Sequence, residues 1–476
     1  MAGEKEEKKT GNADKVPEAD VVKDDIKQFG DGVKEIGEGT VDVVAGTVKT
    51  GADVAKLGAE EAAALITLPY KKRRNIADFF SLSRKGVITG AADNDPSAVV
   101  TYAQAGAYAG YSQLWLLLIS TPMLIAIEEM TARIGVVTKK GLGRVMAEKF
   151  GVWPAFFIAL LIMITNFIMI GADIAAMSNI LGAILGINWY YLILPIGLII
   201  VAFLITKGYA IISRYLFIVT LAFIAYIISG FLIHAPWLTI AHDTFVPVIQ
   251  SKPGWWLVAV GLLGTTLSPY TFFWQATEEV QEGVTVKDLR KSQIGVTTGM
   301  IWCNLISFFI IITTATVFAG KNILLSSPQE AALALRPLAG NLSFALFSIG
   351  ILGAGLVALP VAAATSAYVL SDVFNWRSNL DRKFSKAEGF YFVIILSILA
   401  SGVMALFGVN PMLMLLYSQV IAAFLVPVLI ILTLVISNSK EIMGEHKNRF
   451  WSNLGGWFSL IVMLAAIVML VRQWIG

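Results

Sequence analysis

The sequence predicts an all-α polytopic membrane protein of about eleven transmembrane helices, arranged as two inverted five-helix repeats whose first helices are broken, plus one added helix. Three observations carry that expectation. Of 476 residues, 57% are hydrophobic and only 14% charged, with a mean hydropathy of +0.73, whereas a soluble domain carries about half and about a quarter. Nearly uncharged runs recur along the chain, each close to the roughly 20 residues needed to cross a bilayer. Two of these runs are interrupted midway, one by Asp93-Asn94-Asp95-Pro96-Ser97 and one by Gly264-Thr265-Thr266-Leu267-Ser268-Pro269-Tyr270.

The apolar runs place spans at roughly 86–109, 113–137, 152–184, 189–206, 210–233, 255–281, 294–319, 341–372, 388–407, 410–436 and 452–474. Residues 1–75 form a polar tail, and 76–476 the transmembrane domain, with repeat one over about 86–233, repeat two over about 255–436 and the extra helix over about 452–474. In the tail, Ile26, Phe29, Val33, Ile36, Val44 and Val48 recur at near-helical spacing among charged residues, as in a surface-lying amphipathic helix. Its many glycines each cost up to about 1 kcal/mol of helix propensity, so a partly disordered tail is the competing expectation. The charged start offers no cleavable signal peptide, and the first span is expected to serve as its own membrane signal. Cys303 is the single cysteine, which leaves no intramolecular disulfide and no thiol metal cluster.

Basic residues order the loops. With the tail inside, inner segments carry Lys71, Lys72, Arg73, Arg74, Arg84 and Lys85, then Lys139, Lys140, Arg144 and Lys149, then Lys207 and Arg214. They continue with Lys287, Arg290 and Lys291, then Arg377, Arg382, Lys383 and Lys386, and finally Lys440, Lys447 and Arg449. The outer loops offer Lys252, Lys321 and Arg336, with Arg472 at the far end. This asymmetry predicts a cytosolic N-terminus and an extracytosolic C-terminus, in a multi-pass protein of the plasma membrane.

The interruptions carry the chemistry. Proline removes a backbone donor and clashes with the preceding turn, and a break at membrane depth is tolerated only where its backbone faces protein or a water-filled cavity. Breaks opening two successive five-helix units are the mark of an inverted-repeat transporter with its site at the midplane. A carboxylate there persists only beside a cavity, a partner or a cation. Asp95 directly precedes Pro96, and Asp93 and Asn94 add oxygens. The second break supplies Thr265, Thr266 and Ser268. The surroundings hold no methionine, cysteine or histidine, and all-oxygen surroundings suit hard cations such as Mg²⁺ or Ca²⁺ over late transition metals.

The stretches "DPSAVVTYAQAGAYAGYSQLW", "TARIGVVTKKGL", "GILGAGLVALPVAAATSAYVLSDVF" and "LYSQVIAAFLVPVLIIL" resemble, in order, the first, second, eighth and tenth helices of the Nramp family of divalent metal transporters. That resemblance, over about Arg84 to Ile436, implies a LeuT-type inverted-repeat fold and alternating access around one metal site. The candidate metal ligands are then Asp95, Ala92, Thr265, Ser268 and, from the tenth helix, Gln419. Asp93, Asn94, Ser97, Ala98, Thr266 and Tyr270 would line the pocket.

The departures narrow the expectation. Where the family has Asp-Pro-Gly-Asn, this chain has Asp95-Pro96-Ser97-Ala98, so the carboxylate stays and an asparagine ligand is gone. Where the family has Met-Pro-His, it has Ser268-Pro269-Tyr270, which removes the thioether that selects Mn²⁺ and Fe²⁺ and the histidine linked to proton movement. The acidic proton path of the third helix reads Asn166, Asp173 and Ala176, so Asp173 is its residual ionisable position. A wider oxygen-lined pocket suits Mg²⁺, which dehydrates reluctantly, and the pattern resembles the Nramp-related magnesium transporter branch. The expected function is movement of Mg²⁺, with Mn²⁺ also admitted, without proton coupling. The alternatives are a proton-coupled Mn²⁺/Fe²⁺ transporter, an amino-acid or organic-cation transporter of the same fold, and a non-transporting metal sensor.

Other charges remain to be placed. Glu278, Glu279 and Glu282 follow the second break and read either as an inner vestibule or as a solvated helix end. Glu129 is four residues from Arg133, the spacing of a local ion pair, which leaves Glu128 free to face the inner vestibule. His234, His242 and His446 fall near loops without metal-ligand spacing. No phosphate loop or nucleophile with a base is present, so no enzymatic activity, resident cofactor, nucleic-acid partner or obligate protein partner is expected. The expected partners are the lipid bilayer and the transported ion.

Overall fold

A computed structural model of the chain describes residues 94–207, 223–319, 321–376, 378, 380, 386–407 and 409–475. The expected tail, Ala92, Asp93, the start of the first span and the loop residues Arg214, Arg377, Arg382 and Lys383 lie outside the described residues.

The described elements are all helical. They are α1 (Pro96–Ala109), α2 (Leu114–Thr138), α3 (Val152–Leu185), α4 (Tyr190–Lys207), α6a (Trp255–Thr266), α6b (Pro269–Gln281), α7 (Leu289–Val317), α8 (Ser343–Phe374), α9 (Glu388–Ala405), α10 (Pro411–Asn438) and α11 (Phe450–Ile475). A shorter apolar helix, α5, spans Phe223–Leu232. Eight described stretches are long and apolar enough to cross a membrane, the first of them joining α1 and α2 and the third joining α6a and α6b. In its described part, each of the eleven expected spans coincides with a helix; the start of the first and most of the fifth lie outside the described residues. The seventh begins at Leu289 rather than near 294, because Arg290 and Lys291, read as loop for their charge, are also good helix formers.

Helix pairing is reciprocal between the repeats. α1 packs on α7 as α6b packs on α2, while α3 meets α8 and α4 meets α9. Exchanging the first five helices for the second five converts one contact set into the other, as two superposable repeats require. Glycine permits the tightest of these approaches, since helices without a hydrophobic drive between them associate through close van der Waals packing. A Cβ at Gly106 would overlap the Ile311 carbonyl of α7, one at Gly135 the Ala276 carbonyl of α6b, and one at Gly264 the Gln419 carbonyl of α10.

At one end of the bundle, side chains fasten α1 and the turn that follows it to α6a and to the segment after α7. Trp255 Nε1 donates to Ser112 Oγ at 2.9 Å, and Gln113 Nε2 donates to the Trp255 carbonyl at 2.9 Å. Gln104 clamps Leu325 reciprocally, its Nε2 donating to the carbonyl at 2.8 Å and its Oε1 accepting from the amide at 2.7 Å.

At the opposite, basic end, a short helix (Leu142–Phe150) carries Glu148, which accepts from Lys140 Nζ at 2.7 Å and Arg144 Nε at 2.9 Å. Lys149 reaches Glu441 beyond α10 at 2.9 Å, so both of these loops share one face. The Lys140 hydrogen bond, with help from Arg144, holds the Glu148 carboxyl below its ordinary range. A depressed carboxylate contributes stability above its unfolded pKa and loses it as pH falls through the folded one. Exposure keeps the contribution within about 0 to 1 kcal/mol. Glu148→Gln is accordingly expected to shift the thermal midpoint only slightly at neutral pH and not at all in acid, as scanning fluorimetry at both pH values would show.

Candidate cation site

The first break is built by local chemistry. Pro96 takes the first helical position of α1, where its missing N–H costs nothing, and Asp95 is the N-cap, its carboxylate accepting from the Ala98 amide at 2.6 Å. The Asp95 carbonyl is taken by the Val99 amide at 3.0 Å, so among its oxygens the carboxylate is the one placed to meet an ion. Asp95 is 1% exposed, and its carboxylate also interacts with the Tyr270 side chain of α6b.

The second break repeats this design. α6a ends at Thr266, Leu267 departs from helical geometry, and Pro269 opens α6b with Ser268 extended as its N-cap residue. Ser268 Oγ donates to the Thr265 carbonyl at 2.8 Å. Its proton is thereby spent and its lone pairs remain to ligate. Thr265 Oγ1 is buried without a hydrogen-bond partner. Thr266 is placed differently: its hydroxyl donates to the Leu262 carbonyl at 2.8 Å and pairs with Tyr102 at 3.0 Å, so it fastens α6a to α1.

Gln419, the candidate from the tenth helix, is also buried. It lies on α10 at the level of Gly264, where the two helices touch. Its side chain is 1% exposed, and neither Oε1 nor Nε2 has a hydrogen-bond partner. A buried, unsatisfied amide is expensive, and a site offering one beside unpaired hydroxyl and carboxylate oxygens is ready for a ligand that supplies the missing contacts.

Asp173 enters more closely than the sequence suggested. Ser97 Oγ donates to Asp173 Oδ1 at 2.5 Å, and Asp173 lies within coulombic range of Asp95. Two buried carboxylates therefore flank the first turn of α1. Arg133, the one buried basic residue among the described residues, is turned away to Asn448 and offers them no charge. Ser97 is thus the link between the two acidic positions as well as a departure from the family motif. Ala98 contributes its amide to Asp95 and a small buried methyl to the wall.

The remaining positions separate. Asn166 Nδ2 donates to Ser366 Oγ at 2.9 Å and the Ala362 carbonyl at 3.2 Å, tying α3 to α8. Glu279 is buried and accepts from Ser292 and from Gln275 Nε2 at 3.1 Å, which ties α6b to α7. Glu278 is half-buried and the C-capping Glu282 exposed. Glu129 accepts from Thr297 at 3.2 Å, with Arg133 in coulombic range. Glu128 is fully buried on α2. Among the described residues no three His, Cys, Asp or Glu side chains gather to hold a metal, and the buried polar groups here are a carboxylate pair and neutral oxygens.

Sequence and structure comparisons bear on the family and the fold. Residues 86–473 match the family model described as natural resistance-associated macrophage protein-like, Nramp. The chain is 25% identical over 401 residues to the divalent metal cation transporter MntH of Bacillus subtilis, covering 79% of this chain and 88% of that one. It is 24% identical over 413 residues to the MntH of Deinococcus radiodurans, covering 82% and 89%. A crystal structure of the Eremococcus coleocola manganese transporter superposes with a TM-score of 0.67 at 16% identity, over 85% of this chain and 89% of that one. Mhp1, a nucleobase-cation-symport-1 transporter, superposes at 0.52 and 13% identity, over 82% and 93%. With broken helices opening both repeats and a family match across nearly the whole described region, this chain belongs to the Nramp family and has the LeuT-type fold.

Proposed function

We propose that the protein moves divalent metal cations across the membrane by alternating access, with Mg²⁺ as the main substrate and Mn²⁺ also admitted, and without coupling to protons. The observation that carries this reading is the buried pair Asp95 and Asp173 with no buried basic residue beside it among the described residues, together with unsatisfied oxygens of Thr265 and Gln419 on α6a and α10, which both pack on α1. A divalent cation supplies the charge these carboxylates lack. Hard oxygen donors and the absence of a thioether favour a partly hydrated Mg²⁺. A second reading, Mn²⁺ as the main substrate, is favoured by the likeness to a manganese transporter.

The N-terminus lies in the cytosol and the C-terminus outside in this reading, in the plasma membrane. The gathering of Lys139, Lys140, Arg144 and Lys149 beside the Glu441 loop supports that topology. Inward movement of a divalent ion then gains about 4.6 kcal/mol per 100 mV, twice the single-charge value, enough to drive uptake unaided.

Flux into proteoliposomes tests each part. Mg²⁺ uptake is expected to follow an imposed membrane potential and to be unchanged by an imposed pH gradient. Strict dependence on the pH gradient would overturn the uncoupled mechanism, and Mn²⁺ flux without Mg²⁺ flux would overturn the substrate assignment. Full flux after deletion of residues 1–70 would dispose of a sensor that does not transport.

A further inference from the structure

Glu128 is a carboxylate that the site described above does not use. It lies midway along α2, is 0% exposed, and has no hydrogen-bond partner at either Oε1 or Oε2. The Thr271 hydroxyl of α6b stands beside it. That hydroxyl has one proton and donates it to the Ser268 carbonyl at 2.8 Å, so it presents lone pairs to whatever else comes near.

Packing fixes the position of this group. Gly135, seven residues along α2, lies against the Ala276 carbonyl, and two turns back on both helices brings Glu128 to the first turn of α6b. Asp95 meets the same turn through Tyr270. The opening of α6b is therefore flanked by two carboxylates on neighbouring residues, and Ser268, whose hydroxyl faces Thr265, turns its carbonyl toward Thr271. The charges facing Glu128 do not neutralise it. Arg133 is engaged by Asn448 and Glu129. The partial positive charge at the start of α6b offsets part of the cost of a full buried charge and leaves the rest.

We propose that Glu128 and the Thr271 hydroxyl oxygen form a second cation station, to which the ion passes from Asp95 around the N-terminus of α6b, while the Ser268 carbonyl, which accepts from the Thr271 amide and hydroxyl, holds Thr271 in place. Both donors are hard oxygens, so the station takes the same class of ion as the Asp95 site. This inference rests on the transport reading above.

The test uses the full-length protein, with Mn²⁺ as the calorimetric probe and Mn²⁺ and Mg²⁺ as flux substrates. Glu128→Gln is expected to lower both fluxes by about tenfold or more, equivalent to a barrier raised by about 1.4 kcal/mol. Mn²⁺ affinity at the Asp95 site and the thermal midpoint should stay near wild type, and Glu128→Asp should recover much of the flux. Wild-type flux in Glu128→Gln would overturn the station. So would parallel loss of flux, Mn²⁺ affinity and thermal stability, which marks a carboxylate serving only the helix terminus. If Glu128→Gln does not fold, Thr271→Val decides: reduced flux at unchanged affinity supports the station, and wild-type flux overturns it. A wild-type protein that neither binds nor moves Mn²⁺ or Mg²⁺ overturns the transport reading itself, whereas working wild type beside an unaffected Glu128→Gln removes only the station.

Discussion

Asp95→Ala should abolish divalent cation uptake while leaving the protein folded. For a divalent ion 4 Å from a carboxylate, the Coulomb attraction at an effective dielectric of 20 is about 8 kcal/mol. Dehydration of the ion returns most of that. If one fifth survives, about 1.6 kcal/mol, the lost affinity already exceeds tenfold. The fold should hold because Asp95 also acts as an N-cap, whose replacement by alanine costs about 0.5 to 2 kcal/mol, and removal of a buried charge offsets part of this. Calorimetric titration with Mn²⁺ and flux assays on the purified variant would measure the loss. Wild-type flux in Asp95→Ala would remove Asp95 from the site.

Gly264→Val should produce the second large effect, through geometry alone. The new Cβ would overlap the Gln419 carbonyl and press on Ala423, both on α10, so two helix backbones must separate. Overpacking of this kind costs about 1 to 3 kcal/mol and occasionally more. Separation of α6a from α10 also moves Thr265 and Gln419 apart, so affinity should fall together with the thermal midpoint. Gly197→Ala is the matching control, because its Cβ meets only a methyl of Ile398 at 3.6 Å, an ordinary contact. A Gly264→Val protein with wild-type stability and flux would show that this approach is not needed.

Much of this architecture was legible in the sequence because its strongest constraints are local. Pro96 and Pro269 each follow a polar run, and together the two signals mark the breaks, whereas Pro122, Pro195, Pro360 and Pro427 in apolar surroundings stay inside their helices; apolar length marks a span regardless of neighbours. Asp95 stood out because a carboxylate at that depth needs a reason. What stayed hidden depends on partners distant in the chain. Asn166 reads as a lost proton-path position, yet its amide bridges to Ser366 and Ala362, about 200 residues away. Glu279 reads as a vestibule acid, and its occupation by Ser292 and Gln275 depends on how α7 returns past α6b. Ser97 reads as a substitution in a motif, and only the crossing of α3 reveals its bond to Asp173. Gly135 and Gly264 look like weak helix residues, and no local rule tells which carbonyl each one admits.

The four hydrogen bonds that fasten Ser112, Gln113 and Gln104 to Trp255 and Leu325 have a mechanical consequence. Two of them join the turn between α1 and α2 to Trp255, so at about 1 kcal/mol net apiece prying that turn from α6a would cost some 2 kcal/mol before any packing is lost. The pivot then falls at Leu267–Ser268, where the backbone leaves helical geometry between α6a and α6b. A swing of α6b about this break would displace its far end most and Thr265 least, so the proposed cation site would keep its dimensions while that end moves.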